Sequence, residues 1–98
     1  MPYKIVFRER ADKELLESVA WYKEKSISVS ENFKFQVNLL ISRIEKQPDF
    51  FRISYRNYRE AKTSRFPYSV VYFVNEKEQE IVITSIFHQK RNPKKKFK

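Results

Sequence analysis

Two apolar runs joined by a short charged link dominate the second half of the chain. Residues 69–75 and residues 80–87 are rich in Val, Ile, Tyr and Phe, which favour β-structure. Alternation along each run predicts that both faces of both strands are covered. The predicted faces are Val70, Tyr72 and Val74 against Val71 and Phe73, and Ile81, Ile83 and Phe87 against Val82 and Ile86. Because the link at 76–79 is polar and short, we expect an antiparallel hairpin in the middle of a sheet.

The first half of the chain begins with a strand pattern and then changes to helical spacing. Residues 3–8 alternate in polarity, which predicts a strand with one covered face. From Ala11 onward the apolar residues fall on one helical stripe. The stripe consists of Ala11, Leu15, Val19 and Tyr22, widened by Leu16 and Ala20. The sequence therefore predicts an amphipathic helix that ends at residues 26–28.

A second helix is predicted directly after this break. Ser28 and Glu31 have the spacing of a capping box, and Ser30 is a rival cap. Pro48 disfavours helical backbone at the residue before it, so the helix should end near Lys46. Its apolar positions are Phe33, Val37, Leu40, Ile41 and Ile44. Two helices with so short a link form an antiparallel hairpin, and we expect both stripes to lie on one face of the sheet.

One further strand is predicted before the hairpin of strands, at Tyr58–Lys62. If this segment is extended, Arg56 and Tyr58 share one side, and Arg59 and Ala61 share the other. The predicted order is then β-α-α-β-β-β, an α+β fold in which a helical hairpin packs on a small, mostly antiparallel sheet. We expect a single domain over 1–98 with a basic C-terminal tail from about residue 90, poorly ordered unless a partner holds it.

Three features of the composition exclude whole classes of site. The chain has no Cys and no Gly, which excludes thiolate chemistry, Cys-based metal sites and glycine-rich phosphate loops. With one His, an HExxH zinc site is impossible, and we expect no metal and no cofactor. No run approaches the ~20 apolar residues of a membrane span, and the charged N-terminus is unlike a signal peptide. We therefore expect a cytoplasmic protein that does not engage a membrane.

The net charge of +9 is concentrated on either side of the strand hairpin. Residues 52–65 hold five Lys or Arg residues against one Glu, and residues 90–98 hold six with no acid. This distribution favours a polyanionic partner, either nucleic acid or an acidic protein segment. The candidate binding residues are Arg56, Arg59, Lys62, Arg65, Lys90 and Arg91. The alternative is a solvated strand face and a solubilising tail.

His88 is the sharpest candidate for chemistry. It follows the last strand, and its side chain titrates in the range that general acid–base catalysis needs. Lys62, Arg65 and Arg91 could stabilise a phosphate, provided the sheet carries both cation blocks to one rim. The alternative is a His88 that hydrogen-bonds to backbone at the strand end. Trp21 should pack in the helical hairpin, whereas an exposed Trp21 would mark a partner surface.

Four segments together resemble the RelE/ParE superfamily of type II toxin–antitoxin toxins, over nearly the whole chain. They are 11–22 (ADKELLESVAWY), the helix end at 44–48, 65–74 (RFPYSVVYFV) and 86–93 (IFHQKRNP). The resemblance implies a small bacterial toxin of the plasmid-stabilisation type, encoded in one operon with an antitoxin that wraps along it. It implies one of two activities, cleavage of messenger RNA on the ribosome or, in the ParE-like branch, inhibition of DNA gyrase.

The ribonuclease set is only partly matched. Lys62 corresponds to a basic position before the central hairpin, but Ser69 replaces an Arg of the RelE-type enzymes, and no Tyr follows Tyr72. The sequence therefore favours a ParE-like gyrase inhibitor. The alternatives are a ribosome-dependent mRNA endonuclease using His88 with Lys62, Arg65 and Arg91, and an inactive member that only binds antitoxin. We expect the antitoxin segment to be acidic and partly disordered, and the toxin to form a homodimer or a heterotetramer with it.

Overall fold

A mixed five-stranded sheet carries a helical hairpin on one face. The computed structural model describes residues 3–90 and 95–97. The elements are β1 (Lys4–Phe7), α1 (Glu9–Lys25), α2 (Ile27–Lys46), β2 (Ile53–Tyr55), β3 (Tyr58–Lys62), β4 (Tyr68–Asn75) and β5 (Glu80–His88). The strand order is β1-β5-β4-β3-β2, with β1 parallel to β5 and the other pairs antiparallel. The predicted α+β fold with a mostly antiparallel sheet is confirmed.

The structure adds one strand that the sequence analysis missed. β2 is three residues long and pairs with β3 through Ile53 opposite Arg59 and Tyr55 opposite Tyr58. Arg56, with φ of 52°, closes the tight connection between them. Ile53 and Tyr55 are both exposed at the sheet edge, and an apolar–polar–apolar pattern of only three residues is too short to predict a strand.

The connection between the helices is shorter than predicted. Ser26 alone, with φ −168° and ψ 126°, ends α1 and begins α2. Its backbone N–H donates to the Tyr22 carbonyl at 2.8 Å, and its Oγ accepts from the Val29 N–H at 3.3 Å. The predicted capping box at Ser28 is wrong, because Ser28 already lies inside α2 and the Glu31 carboxylate pairs with Lys34 at 2.7 Å.

A β-bulge corrects the predicted faces of β5. Val71 lies opposite Ser85 and Tyr72 opposite Ile83, so Thr84 is an extra residue in β5. An extra residue reverses the alternation beyond it. Ile86 therefore packs in the core under the helices together with Ile81 and Ile83. Phe87, predicted on that side, is buried on the opposite face of the sheet.

The core lies between the hairpin and the sheet. α2 contributes Phe33, Val37, Leu40 and Ile44, and the central strands contribute Val70, Tyr72, Ile81 and Ile83. The Tyr72 hydroxyl reaches past this layer and donates to the Pro48 carbonyl at 2.6 Å. Burial raises the pKa of Tyr72 to about 12, so its hydroxyl keeps its proton at neutral pH. This bond holds the end of α2 and the following loop against β4.

The opposite face of the sheet is covered in part by the end of the chain. The Phe97 ring stacks on Tyr55, with centroids 4.9 Å apart, and also lies against Tyr58. The Lys96 ammonium lies 3.0 Å from the buried Glu60 carboxylate and 5.2 Å from the centre of the Phe87 ring. Residues 95–97 thus do not follow the prediction of a poorly ordered tail, because the sheet offers them an aromatic surface and an anion. The rest of the predicted tail, 91–94 and 98, lies outside the described residues.

Neither helix in the described part of the chain has the length and apolar character needed to cross a membrane.

Candidate partner-binding surfaces

One end of the sheet gathers most of the residues that the sequence analysis singled out. Lys62 is in register with Ser69, and Ser69 with Phe87, so the end of β3, the start of β4 and the end of β5 form one row. With neighbouring strands ~4.8 Å apart, the Cα atoms of Lys62 and Phe87 are roughly 10 Å from one another. Lys62, Arg65, His88 and Lys90 therefore lie at one end of the molecule. Arg91 lies outside the described residues.

These residues nevertheless border two different hollows. His88 is opposite Tyr68, whose ring belongs to the core under the helices. It lines a cleft of about 460 Å³ between α1 and the end of the sheet, which we name the His88 cleft. The cleft is lined by Glu17, Ser18, Trp21, Tyr68, His88 and Lys90. Lys62 and Arg65 line a separate hollow beside α2.

His88 is held at the strand end by its neighbours. Its ring meets the Tyr68 ring edge-on at 4.9 Å, and its Nδ1 accepts a hydrogen bond from the Lys90 N–H at 3.0 Å. Because Nδ1 accepts this bond, the neutral imidazole carries its proton on Nε2. A backbone hydrogen bond of this kind is the structural alternative to catalysis that the sequence analysis left open for His88.

Trp21 is the exposed aromatic residue of the His88 cleft. Its side chain is 54% exposed, although the sequence analysis expected it to pack within the hairpin. One edge contacts Tyr22 at 5.0 Å, and the Lys25 ammonium lies 5.2 Å from its ring. Tyr22 takes the core position instead, against Phe33 and Phe66. An exposed Trp beside cations is typical of a partner surface.

A second surface runs along the last three turns of α2, and we name it the α2 groove. It consists of two hollows, of about 340 and 500 Å³, that adjoin at Arg43. The groove is lined by Gln36, Leu39, Leu40, Arg43, Lys46, Gln47, Phe50, Phe51, Lys62, Ser64 and Arg65. The sequence predictions did not include Arg43 and Lys46, because charges in the first half of the chain nearly balance. Their i, i+3 spacing along one flank of α2 was the available signal. Phe50 follows the end of α2, and the sequence alone left open whether it packs in the core or marks a partner surface.

Arg56 and Arg59 do not join Lys62 and Arg65 in one patch. Arg59 donates to the Phe51 carbonyl at 2.6 Å and to the Asp49 carbonyl at 3.1 Å. It therefore holds the loop between α2 and β2 in place. Arg56 stacks on the Tyr55 ring at the other end of β3, roughly 20 Å along the strand from Lys62.

The sheet face away from the helices is closed, in that buried uncharged side chains occupy the positions where a RelE-type enzyme is expected to place cations. Ser69 is fully buried and its Oγ accepts from the Gln89 amide, while Phe87 lies beside it in the same row. Burial pushes the pKa of Glu60 up, but hydrogen bonds from Lys96, Ser69 and Ser54 outweigh this effect and hold the pKa below its ordinary value. An ionised Glu60 on this face opposes the binding of a phosphate.

No group of His, Asp or Glu within 3–90 and 95–97 has the arrangement of a metal site.

The architecture defines a small α+β domain with the His88 cleft at one end of the sheet and a basic, partly apolar groove along α2. The sequence matches the model of the ParE toxin of the type II toxin–antitoxin system parDE over residues 5–93, and the chain belongs to this family. No curated protein matches the sequence.

Solved structures share the fold at low sequence identity. The chromosomal ParDE system from P. aeruginosa matches with a TM-score of 0.71 and 13% identity, covering 88% of this chain and 95% of that one. The isolated E. coli RelE toxin matches with a TM-score of 0.62 and 19% identity, covering 93% and 88%. The intact E. coli RelBE toxin–antitoxin complex matches with a TM-score of 0.62 and 20% identity, covering 91% of this chain and 99% of that one.

Proposed function

We propose that this ParE-family toxin arrests growth by binding DNA gyrase in the cytoplasm, and that an antitoxin encoded beside it neutralises it. The class of protein follows from the family match over residues 5–93. The family match does not decide between gyrase and messenger RNA as the target, since ParDE and RelE proteins share this fold.

The observation that carries the choice is the closed sheet face around Ser69. A ribonuclease needs several cations around one phosphate and a group that moves a proton beside them. Here the row holds Ser69 and Phe87, and the neighbouring anion Glu60 is already paired with Lys96. Among the described residues Lys62 is the one cation in register with this row, and it borders the hollow beside α2. His88 lies on the other face. The arrangement supports binding rather than cleavage.

The His88 cleft is the surface that we propose for the target. Trp21 offers an exposed ring, and Lys90 and Glu17 offer charges on either side of it. Exposed Trp residues beside a hollow commonly carry a large share of the binding energy of an interface. His88 would then serve as a wall of this surface, held by Tyr68 and by the Lys90 backbone.

The antitoxin is the second partner that we propose. ParDE and RelBE structures are described as toxin–antitoxin systems or complexes, and this chain shares their fold. A basic toxin with net charge +9 suits an acidic antitoxin segment that folds on its surface.

A supercoiling assay with purified gyrase and relaxed plasmid tests the proposal. We expect micromolar toxin to stop supercoiling, and addition of the antitoxin to restore it. Trp21→Ala should weaken inhibition by at least tenfold, because it removes the exposed anchor of the cleft. Phe35→Ala is the matched control, since Phe35 is 61% exposed on α2 and lines neither the His88 cleft nor the α2 groove. This control should leave inhibition within twofold of wild type.

Undiminished supercoiling at micromolar toxin would remove gyrase as the target. If the same preparation cut messenger RNA on ribosomes, the endonuclease alternative would replace our proposal. If the protein bound antitoxin but arrested no growth, the chain would be an inactive member of the family.

A further inference from the structure

We infer that the α2 groove is the docking site for an acidic, extended segment of the antitoxin. This inference rests on the proposed function in one respect, the existence of an antitoxin partner. It adds where that partner binds and what side chains it must carry.

The groove holds an unbalanced cluster of cations. Arg43, Lys46, Lys62 and Arg65 all line the groove, and among the described residues no acidic one lines it. None of these four forms an ion pair within residues 3–90 and 95–97, whereas other cations of the chain do. Four like charges along one groove repel one another, and a segment carrying carboxylates relieves that repulsion.

The nearest acidic residues do not neutralise the cluster. Glu45 follows Arg43 by two positions and therefore points about 160° away from it around the helix. Asp49 lies next to the groove, but its carboxylate pairs with Arg59 at 3.6 Å. The positive charge of the groove is thus left for a partner.

The groove also has apolar side chains at both ends and in its floor. Leu39 is 40% exposed at one end and Phe50 is 74% exposed at the other. Leu40 and Phe51 form part of the floor between them. Aliphatic side chains such as Leu39 pack well on the apolar side chains of a peptide, while single-stranded nucleic acid prefers aromatic stacking platforms. Because Leu39 and Leu40 accompany Phe50 and Phe51 in the lining, the groove favours a protein segment with apolar side chains over a nucleic acid.

The length of the groove suits a short peptide segment. The groove follows α2 from Gln36 to Gln47, a distance of roughly 16 Å along the helix axis. An extended chain spans that distance in about five residues. The groove therefore fits a short extended segment with an apolar side chain near each end and carboxylates between them.

The rim of the groove is also preorganised. Arg65 has φ of 71°, a conformation that costs a non-glycine residue free energy. Thr63 stabilises the turn, because its Oγ1 donates towards the Phe66 carbonyl at 2.9 Å and the Tyr68 carbonyl at 3.2 Å. A fixed turn reduces the entropy that Arg65 loses when it pairs with a carboxylate.

The test compares two sets of charge-neutralising substitutions in the full chain. The groove set is Arg43→Gln, Lys46→Gln, Lys62→Gln and Arg65→Gln. The control set is Lys4→Gln, Lys13→Gln, Lys23→Gln and Lys77→Gln, four exposed cations outside the groove. Both sets remove four positive charges, and Gln tolerates the backbone of Arg65, since Gln79 has φ of 53° in this chain.

The readout is the Kd for the purified antitoxin from the adjacent reading frame, with circular dichroism to show that each variant is folded. We expect the groove set to raise Kd about 100-fold and the control set less than fivefold. Leu39→Gln should raise Kd about tenfold, and Leu16→Gln, at an exposed position on α1, should not.

Equal effects of the two charge sets would overturn the inference, since binding would then depend on net charge alone. An unchanged Kd in the groove set, with loss of growth arrest, would also overturn it and would assign the groove to the target. Failure of gyrase inhibition leaves this binding measurement unaffected, so the two proposals fail separately.

Discussion

Glu14→Ala is expected to lower the free energy of unfolding by about 4 kcal/mol, because it leaves buried polar groups without partners. The Glu14 carboxylate accepts from the Ser85 hydroxyl at 2.7 Å and from the Ile86 N–H at 3.0 Å. It also pairs with Arg10 at 3.3 Å. The side chain of Glu14 belongs to the buried part of α1, and water cannot easily replace it.

The position of Glu14 follows from where β1 ends. β1 pairs with β5 only as far as Phe7 opposite Ile83, because the chain then turns into α1. Beyond Ile83 the outer edge of β5 lacks a neighbouring strand, and the Glu14 carboxylate takes the hydrogen bond that a strand would have taken. Glu14 thus joins α1 to the end of β5, where His88 lies.

Urea unfolding of the wild type and the variant measures this effect. Glu24→Ala is the control, because Glu24 is an exposed carboxylate in the same helix. This control should lower the free energy of unfolding by less than about 0.5 kcal/mol. A Glu14→Ala variant as stable as the control would show that the sheet edge does not depend on this carboxylate.

Lys96→Ala should lower the free energy of unfolding by about 3 kcal/mol at neutral pH, because it leaves the Glu60 carboxylate buried without its ammonium partner. The side chain of Glu60 is almost fully buried, and Lys96 lies 3.0 Å away. Lys95→Ala is the matched control, since the neighbouring Lys95 side chain is exposed and Arg10 contacts only its backbone carbonyl. We expect the control to be within about 0.5 kcal/mol of wild type.

The destabilisation caused by Lys96→Ala should decrease at low pH. The pKa of Glu60 is lower in the folded protein than its ordinary value of 4.5, so its ionisation stabilises the fold above pH 4.5. That stabilisation disappears as the pH falls through the folded-state pKa. The difference in stability between Lys96→Ala and wild type should therefore shrink as the pH falls below 4.5 and through the folded-state pKa, because a protonated Glu60 no longer needs Lys96. A difference that stays constant while Glu60 becomes protonated would contradict the ion pair.

The helices and central strands could be predicted because their apolar residues follow one period. Val37, Leu40 and Ile44 recur at helical spacing, and Val70, Tyr72 and Val74 alternate, and all except Val74 are buried in the core as expected. The exchange of Ile86 and Phe87 could not be predicted, because a bulge at Thr84 leaves no mark in a run that is apolar on both faces.

The partner surfaces were harder to predict than the fold. The turn that carries Lys62 and Arg65 to the end of β5 follows from the strand pairing, and so does the nearness of His88. The α2 groove depends on which flank of α2 faces the β3–β4 turn, and the spacing of Arg43 and Lys46 does not predict that orientation. Trp21 and Tyr22 are adjacent in sequence, and only packing against Phe33 and Phe66 decides which of them is buried.

His88→Ala, expressed without antitoxin, separates binding from catalysis most directly. The measurement is growth arrest together with the integrity of messenger RNA in the same culture. Our account predicts that transcripts stay uncut in both, and that the variant still arrests growth, though less strongly because one wall of the His88 cleft is altered. Cut transcripts with the wild type, and normal growth with uncut transcripts for His88→Ala, would contradict it.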